Sequence, residues 1–134
     1  IYNILMKKKD KTIKKRNYKN PYIRKSKIHG KGLFSHKKFK KNEIIFKDVF
    51  PYLKNKQNSL NMILLFNKFV LYKCKYINHC KKNKNSTIIK KDNKYILIST
   101  KIIKKDKEIL LDYNELNSKF PSIIKGANPE FIEC

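Results

Sequence analysis

The sequence predicts a mostly β domain with short helices, and three observations support this. Apolar and β-branched residues occur in short runs that are bounded by turn signals such as Asp92–Asn93. The chain has 134 residues, enough for one domain with a single modest core. A hydrophobic content of 40% suits a globular core and argues against wholesale disorder.

The chain is predicted to have three parts. Residues 1–20 carry many lysines and one acid, Asp10, so this block repels itself and is expected to be a basic, flexible tail. Pro21 ends the tail, and residues 21–113 are expected to form the folded core. Residues 114–134 are expected to form a C-terminal flank.

The folded core is predicted to begin with two short strands around a turn. Tyr22–Lys25 is the first strand, and Leu33–Ser35 is the second. The turn between them, Ser26–Gly32, carries two glycines, which permit positive φ and let a ligand approach the peptide groups closely. After a turn at Lys41–Asn42, Glu43–Val49 is predicted to be a buried strand, with Phe39 packing beneath the second one.

The middle of the chain is predicted to contain a helix, a polar loop and a hairpin. Apolar residues between 60 and 71 fit a helix face imperfectly, with Ser59 as its N-cap. Thr87–Ile89 and Tyr95–Ile98 flank Asp92–Asn93, which predicts a hairpin. A further turn at residues 104–107 precedes a last strand, Glu108–Tyr113.

The formal net charge of +24 has two interpretations. Clustered lysine attracts phosphate and releases counterions, so it predicts a nucleic-acid or chromatin partner. Alternatively, lysine, asparagine and isoleucine are all over-used, as in products of AT-rich genomes. Lysine rather than arginine supplies most of the charge, which weakens an interpretation based on bidentate readout. Some non-specific, salt-dependent nucleic-acid contact is expected in either case.

The cysteines and the hydropathy pattern favour an intracellular protein. No apolar run reaches the roughly 18 residues of a spanning helix, and the N-terminus lacks a secretory core, so no membrane association is expected. Cys74, Cys80 and Cys134 form an odd set without an export signal, which predicts free thiols. No metal site is expected, because adjacent residues such as His79 and Cys80 rarely reach one tetrahedral ion.

Three segments, in this order, resemble the SET-domain protein-lysine methyltransferases. Ser26–Ser35 is similar to the family's S-x-I-x-G-x-G-[LV]-F-A, and Lys41–Ile45 follows as its K-N-E-I-I segment. Tyr76–Cys80 is similar to [RK]-[FY]-I-N-H-[SC]. Ile103–Tyr113 is similar to I-x-x-G-E-E-[LI]-x-x-D-Y. The resemblance is to small stand-alone SET domains of the viral type.

The resemblance implies a fold, a reaction and a cofactor. The fold is one of small curved sheets whose C-terminal segment passes through a loop formed by the Asn78–His79 stretch, a pseudoknot. The reaction is N-methylation of a protein lysine by S-adenosyl-L-methionine, with the lysine entering through a channel from the opposite face. The implied substrates are histone tails or nucleosomes, and the implied location is the nucleus. The alternative is a catalytically silent SET-like module that binds chromatin or nucleic acid.

The resemblance also assigns roles to individual residues. Tyr113 is the implied catalytic residue, which positions the amine. The implied cofactor-binding residues are Gly30, Lys31, Gly32, Asn78, His79 and Tyr113, with Asn78 acting through its amide and His79 chiefly through its backbone. The implied channel residues are Tyr76, Leu111 and Phe120, and the C-terminal flank is expected to act as a lid. Cys80 is expected to be a packing residue, and Asp112 to form hydrogen bonds at a sheet edge.

Departures from the family pattern leave several questions open. The family's Pro-Asn is replaced by a stretch in which neither Asn83 nor Asn85 has the usual spacing. Leu111 stands where many members carry Phe or Tyr, so the number of methyl groups transferred stays open. The zinc-binding cysteine cluster is absent, since Cys134 is solitary. The oligomeric state is open as well, and a dimer is one option.

The distribution of acids carries one further expectation. A highly basic enzyme repels a lysine-rich substrate. Most of the acids lie late in the chain, and if they gather at the mouth of the lysine channel they would locally offset this repulsion; they are Asp106, Glu108, Asp112, Glu115, Glu130 and Glu133.

Overall fold

The structure is a computed structural model that describes residues 18–51, 70–119 and 134. The predicted tail up to residue 17, the predicted helix up to residue 69, and residues 120–133 of the predicted lid, Phe120 among them, lie outside these residues. In the described part of the chain, no helix is long and apolar enough to cross a membrane.

The predicted hairpin around the two glycines is confirmed. Strands β1 (Tyr22–Lys25) and β2 (Lys31–Phe34) pair antiparallel, with Arg24 opposite Gly32. Gly30 has a φ of 46°, in the region that favours glycine. The backbone N–H of Ser26 donates to the carbonyl oxygen of Gly30 at 2.8 Å, which closes the turn between the strands.

A three-stranded antiparallel sheet forms the centre of the fold, in the order β3 (Ile44–Phe46), β6 (Lys94–Ser99), β5 (Ser86–Lys91). The predicted turn at Asp92–Asn93 joins β5 and β6, and both of its residues have positive φ (51° and 60°), as a tight two-residue hairpin requires. Strand β3 is shorter than the predicted Glu43–Val49, and its register with β6 shifts within the strand.

A short parallel pair joins the Asn-His stretch to the end of the domain. A 3-10 helix, Tyr72–Tyr76, leads into β4 (Asn78–His79), and β4 pairs with β7 (Leu110–Leu111). Neither element was predicted, since the Asn78–His79 stretch was expected to form a loop. The pairing places the C-terminal strand against this stretch, which is the contact on which the pseudoknot depends.

Asn85, rather than Asn83, fastens the strand β7. Its side-chain amide donates to the carbonyl oxygen of Glu108 at 2.8 Å, and its Oδ1 accepts the backbone N–H of Leu110 at 2.9 Å. Asn85 is 8% exposed, whereas Asn83 is exposed on the loop. Asn85 therefore fills the position that the sequence left open between the two asparagines.

The core lies between the central sheet, the β4–β7 pair and the last helix, and Phe39 is buried in it as predicted. A helix, α1 (Tyr113–Lys119), follows β7 and packs inward through Leu116, so the fold continues beyond Tyr113. The largest fully buried side chains are Phe39, Phe50, Leu33, Ile77, Ile88, Leu97, Ile103, Ile109, Leu111, Leu116 and Val49.

Two predictions about single residues are wrong. Asp112 does not serve a sheet edge, because its Oδ1 accepts the backbone N–H groups of Asn114 and Glu115 at 3.0 and 3.3 Å and so caps the start of α1. All three cysteines were predicted to be free thiols. Cys74 is free and buried, whereas Cys80 and Cys134 form a disulfide. Cys80 directly follows β4 and is fully buried. The disulfide therefore holds residue 134 beside β4.

Candidate active site

Asn78 joins the glycine turn to the parallel pair. Its side-chain nitrogen donates to the carbonyl oxygens of His29 and Lys31, at 2.9 and 3.2 Å, and to the carboxylate of Glu108 at 2.9 Å. The resemblance implied that this amide would hold the cofactor directly. In the structure its N–H groups hold the turn, and no described residue donates to its Oδ1.

Glu108 is the centre of the polar network, and sequence reasoning missed it. Its two carboxylate oxygens accept the hydroxyl of Ser26 at 2.7 and 2.9 Å, in addition to the bond from Asn78. A Cβ on Gly32 would lie 2.3 Å from this carboxylate, so the glycine makes room for Glu108. Ser26 and Glu108 both lie in segments that resemble the family, and this was the one feature of the sequence that could have indicated their contact.

His79 contacts the candidate catalytic tyrosine through its side chain. Its Nδ1 accepts the backbone N–H of Tyr113 at 3.0 Å, and the two rings are 5.5 Å apart between centroids. The same Nδ1 also lies 3.9 Å from the carboxylate of Asp112, the residue before Tyr113. The expected backbone role is therefore joined by a side-chain role in positioning Tyr113.

Tyr113 lies at the start of α1, where β7 ends. Its hydroxyl donates to the carbonyl oxygen of Ile77, one residue before Asn78. Burial raises the pKa of Tyr113 to about 12 from its ordinary value of 10.0. The phenol therefore keeps its proton at neutral pH. Since its hydrogen is committed to Ile77, its oxygen is left to act as an acceptor.

The three predicted channel residues have different positions. Tyr76 pairs with Tyr72, with ring centroids 5.6 Å apart and hydroxyl oxygens 3.3 Å apart. Tyr72, which sequence reasoning did not single out, is 65% exposed, and its hydrogen bond to Tyr76 raises its pKa. Leu111 is fully buried in the core, and Phe120 lies outside the described residues.

Each of the four late acids that the structure describes accepts a hydrogen bond from within the chain. Asp106 accepts the hydroxyl of Tyr22 at 2.6 Å, and Asp112 caps α1. Glu115 forms a salt bridge with Lys84 and accepts the hydroxyl of Thr87. With Glu108 inside the network, each acid has an internal partner because the folded chain places a donor beside it. Glu130 and Glu133 lie outside the described residues.

The residues at this junction fit the cofactor that the resemblance implies. S-adenosyl-L-methionine carries an ammonium group, and Oδ1 of Asn78 is an acceptor to which no described residue donates. At Gly30, where φ is positive, a Cβ would meet nothing within 4 Å, so the backbone of the turn is open to a ligand. Exposed Lys31 stands at the same turn and can meet a carboxylate.

The chain belongs to the SET-domain family, whose model matches residues 30–114. Members of this family are generally protein-lysine methyltransferases that use S-adenosyl-L-methionine. One similar solved structure is that of a Plasmodium falciparum protein described as a candidate histone methyltransferase. It is 26% identical, the match covers 72% of this chain and 94% of that chain, and the TM-score is 0.47. A comparison with curated protein sequences gave no match.

Proposed function

We propose that this chain is a protein-lysine N-methyltransferase that uses S-adenosyl-L-methionine. The observation that carries the proposal is the junction of three segments at one place. Asn78 fixes the glycine turn, the carbonyl of Ile77 next to it accepts the Tyr113 hydroxyl, and His79 holds the Tyr113 backbone. A ligand on the turn therefore lies close to the buried phenol.

The chemistry requires alignment and a neutral amine. The cofactor, when bound, supplies a methyl group on a positively charged sulfonium, and an in-line displacement by the lysine nitrogen needs no metal or covalent nucleophile. An ordinary lysine has a pKa near 10.4, and a dehydrated site beside a positive charge lowers that value. Alignment of the two reacting atoms then supplies much of the acceleration.

The role proposed for Tyr113 follows from its hydrogen bond. Its proton points to the carbonyl of Ile77, so the phenolic oxygen can accept an N–H of the incoming amine and orient the nitrogen lone pair. Because its raised pKa keeps it neutral, Tyr113 is an acceptor without a negative charge and does not favour the protonated amine as a phenolate would. Asn78, Gly30 and Lys31 are proposed to hold the cofactor, and Tyr76 to border the lysine channel.

The proposed substrate class is a protein with an accessible lysine, and histone tails and nucleosomes are the first substrates to test. We expect calorimetry to show binding of S-adenosyl-L-methionine, and mass spectrometry to show methylation of lysine. Tyr113→Phe should keep cofactor binding and lower turnover about 100-fold, because the amine is no longer oriented. Tyr22→Phe is the matched control, since it removes a hydroxyl that bonds to Asp106, away from the junction.

Each outcome of this experiment has a defined meaning. No binding at millimolar cofactor would contradict the proposal outright. Binding without turnover on any substrate would favour the silent SET-like module instead. Equal turnover in Tyr113→Phe and Tyr22→Phe would refute the role of the Tyr113 hydroxyl while leaving the enzyme class intact.

A further inference from the structure

Two lysine-rich segments are joined by a backbone bridge in which no residue of the candidate active site takes part. The backbone groups of Phe39 and Ile103 exchange hydrogen bonds of 2.8 and 2.9 Å, forming an isolated antiparallel bridge. Phe39 and Ile103 are buried, so their neighbours along both segments point outward. Lys38, Lys40 and Lys104 are all exposed on this outer side, and we call these three lysines the basic ridge.

The antiparallel bridge places like charges opposite each other. With Phe39 opposite Ile103, Lys38 lies opposite Lys104. Like charges that face each other across strands destabilise a fold. Lys40 stands on the same outer side as Lys38, about 6.7 Å along the strand. The segments are fixed by the bridge, so this repulsion is built into the folded chain.

A basic cleft lies beyond Lys104. The turn that begins at Lys104 is anchored by Ser35, whose hydroxyl donates to the Lys104 carbonyl at 2.6 Å and accepts the Lys107 N–H at 3.0 Å. Lys107 lines a cavity of about 690 Å³, together with Arg24 and Lys25. The guanidinium of Arg24 lies 4.2 Å from the centre of the Phe34 ring, so that ring helps to fix its position.

The acids near this surface have partners of their own. Asp106 at the cleft accepts the Tyr22 hydroxyl, and Glu108 accepts Ser26 and Asn78. Glu43, near the ridge, forms a salt bridge with Lys37, and its carboxylate also accepts the backbone N–H of Lys40 at 3.0 Å. Neutral donors do not cancel the charge of Asp106 and Glu108, but the cleft lining sets four cations, Arg24, Lys25, Lys27 and Lys107, against these two acids, so a positive balance is left for an external anion.

We propose that the basic ridge and the cleft rim form a binding face for the phosphate backbone of a nucleic-acid duplex. A duplex strand carries a phosphate about every 3.4 Å of axis, so ridge lysines about 6.7 Å apart can each contact a separate phosphate. Ile102, which is exposed beside the ridge lysines, adds no negative charge to this face. Lysine acts as a point charge, so the face reads phosphate and not base sequence. This inference does not rest on methyl transfer.

The test measures binding of the whole chain to a fluorescent DNA duplex of mixed sequence over a range of salt concentrations. The ridge variant carries Lys38→Gln, Lys40→Gln and Lys104→Gln. The control variant carries Lys47→Gln, Lys81→Gln and Lys94→Gln, which remove the same charge from exposed positions outside the ridge and the cleft. Both keep the basic N-terminal residues and the candidate active site unchanged.

The ridge variant should lower the slope of log affinity against log salt by about 2 to 3, because each lost phosphate contact removes about 0.9. Its affinity at about 0.1 M salt should fall roughly 100-fold, and the control should change less than about threefold. The melting temperature of the ridge variant should not fall, since a repulsive pair has been removed. Equal losses in both variants, or no loss in either, would overturn the proposal. So would a loss of binding to phosphatidylserine vesicles with duplex binding unchanged.

Discussion

Replacing Asn85 with Ala tests how the C-terminal strand is held in the fold. The side chain satisfies the carbonyl of Glu108 and the N–H of Leu110, at 2.8 and 2.9 Å, in a place where Asn85 itself is 8% exposed. Removing the side chain leaves both backbone groups without these partners. An unsatisfied buried polar group costs about 1–3 kcal/mol, and water can enter part of the space. We therefore expect Asn85→Ala to lower the free energy of unfolding by about 2–4 kcal/mol.

The measurement is urea and thermal unfolding of both asparagine variants. For a chain of this size, the expected loss corresponds to a melting temperature lower by about 8–15 °C. Asn83→Ala is the matched control, because Asn83 is exposed on the same loop, and its stability should stay within about 0.5 kcal/mol of the wild type. Equal effects of the two substitutions, or a loss below about 1 kcal/mol for Asn85→Ala, would refute this account of how β7 is held.

Two further predictions concern the candidate active site. Glu108→Gln should weaken cofactor binding about tenfold by calorimetry, because an amide oxygen cannot replace both carboxylate oxygens toward Ser26 and Asn78. An unchanged Kd would contradict this prediction. An equal loss of affinity in the surface control Glu43→Gln would contradict it as well. Burial raises the pKa of Tyr113 to about 12 from 10.0, so the unfolded chain ionises first. The tyrosine's contribution to stability should be intact below pH 10 and be lost as pH rises through about 12, and alkaline unfolding of Tyr113→Phe that matches the wild type would contradict this.

The sequence predicted the elements whose signals are local. The turn at Asp92–Asn93 and the alternation on either side of it specify β5 and β6, since a two-residue hairpin has few solutions. Tyr22–Lys25 was predicted with its observed bounds, because Pro21 and the glycine turn mark both ends. The three family-like segments also predicted which parts of the chain meet.

The partners within the site could not be predicted, because they are distant in sequence. Glu108 lies 82 residues from Ser26 and 30 from Asn78, so no pattern along the chain indicates that one carboxylate serves both. The same reason explains why the partners of the late acids could not be predicted. Their clustering in sequence indicated a common location, but each has a donor beside it that only the fold brings there. The Cys80–Cys134 pairing, across 54 residues, was likewise invisible to a count of cysteines.

The arrangement indicates that the polar side chains of the family-like segments chiefly build the site and hold its backbone in place. Glu108 accepts hydrogen bonds from Ser26 and Asn78, Asn78 also donates to carbonyls of the turn, and Nδ1 of His79 accepts the backbone N–H of Tyr113. All of these bonds join groups of the chain itself, so the cost of ordering the turn is met by folding. A site of this kind binds a ligand in one orientation, which a displacement between two aligned atoms requires. A substitution at Glu108 should therefore act on cofactor affinity through the position of the turn, whereas one at Tyr113 should act on turnover.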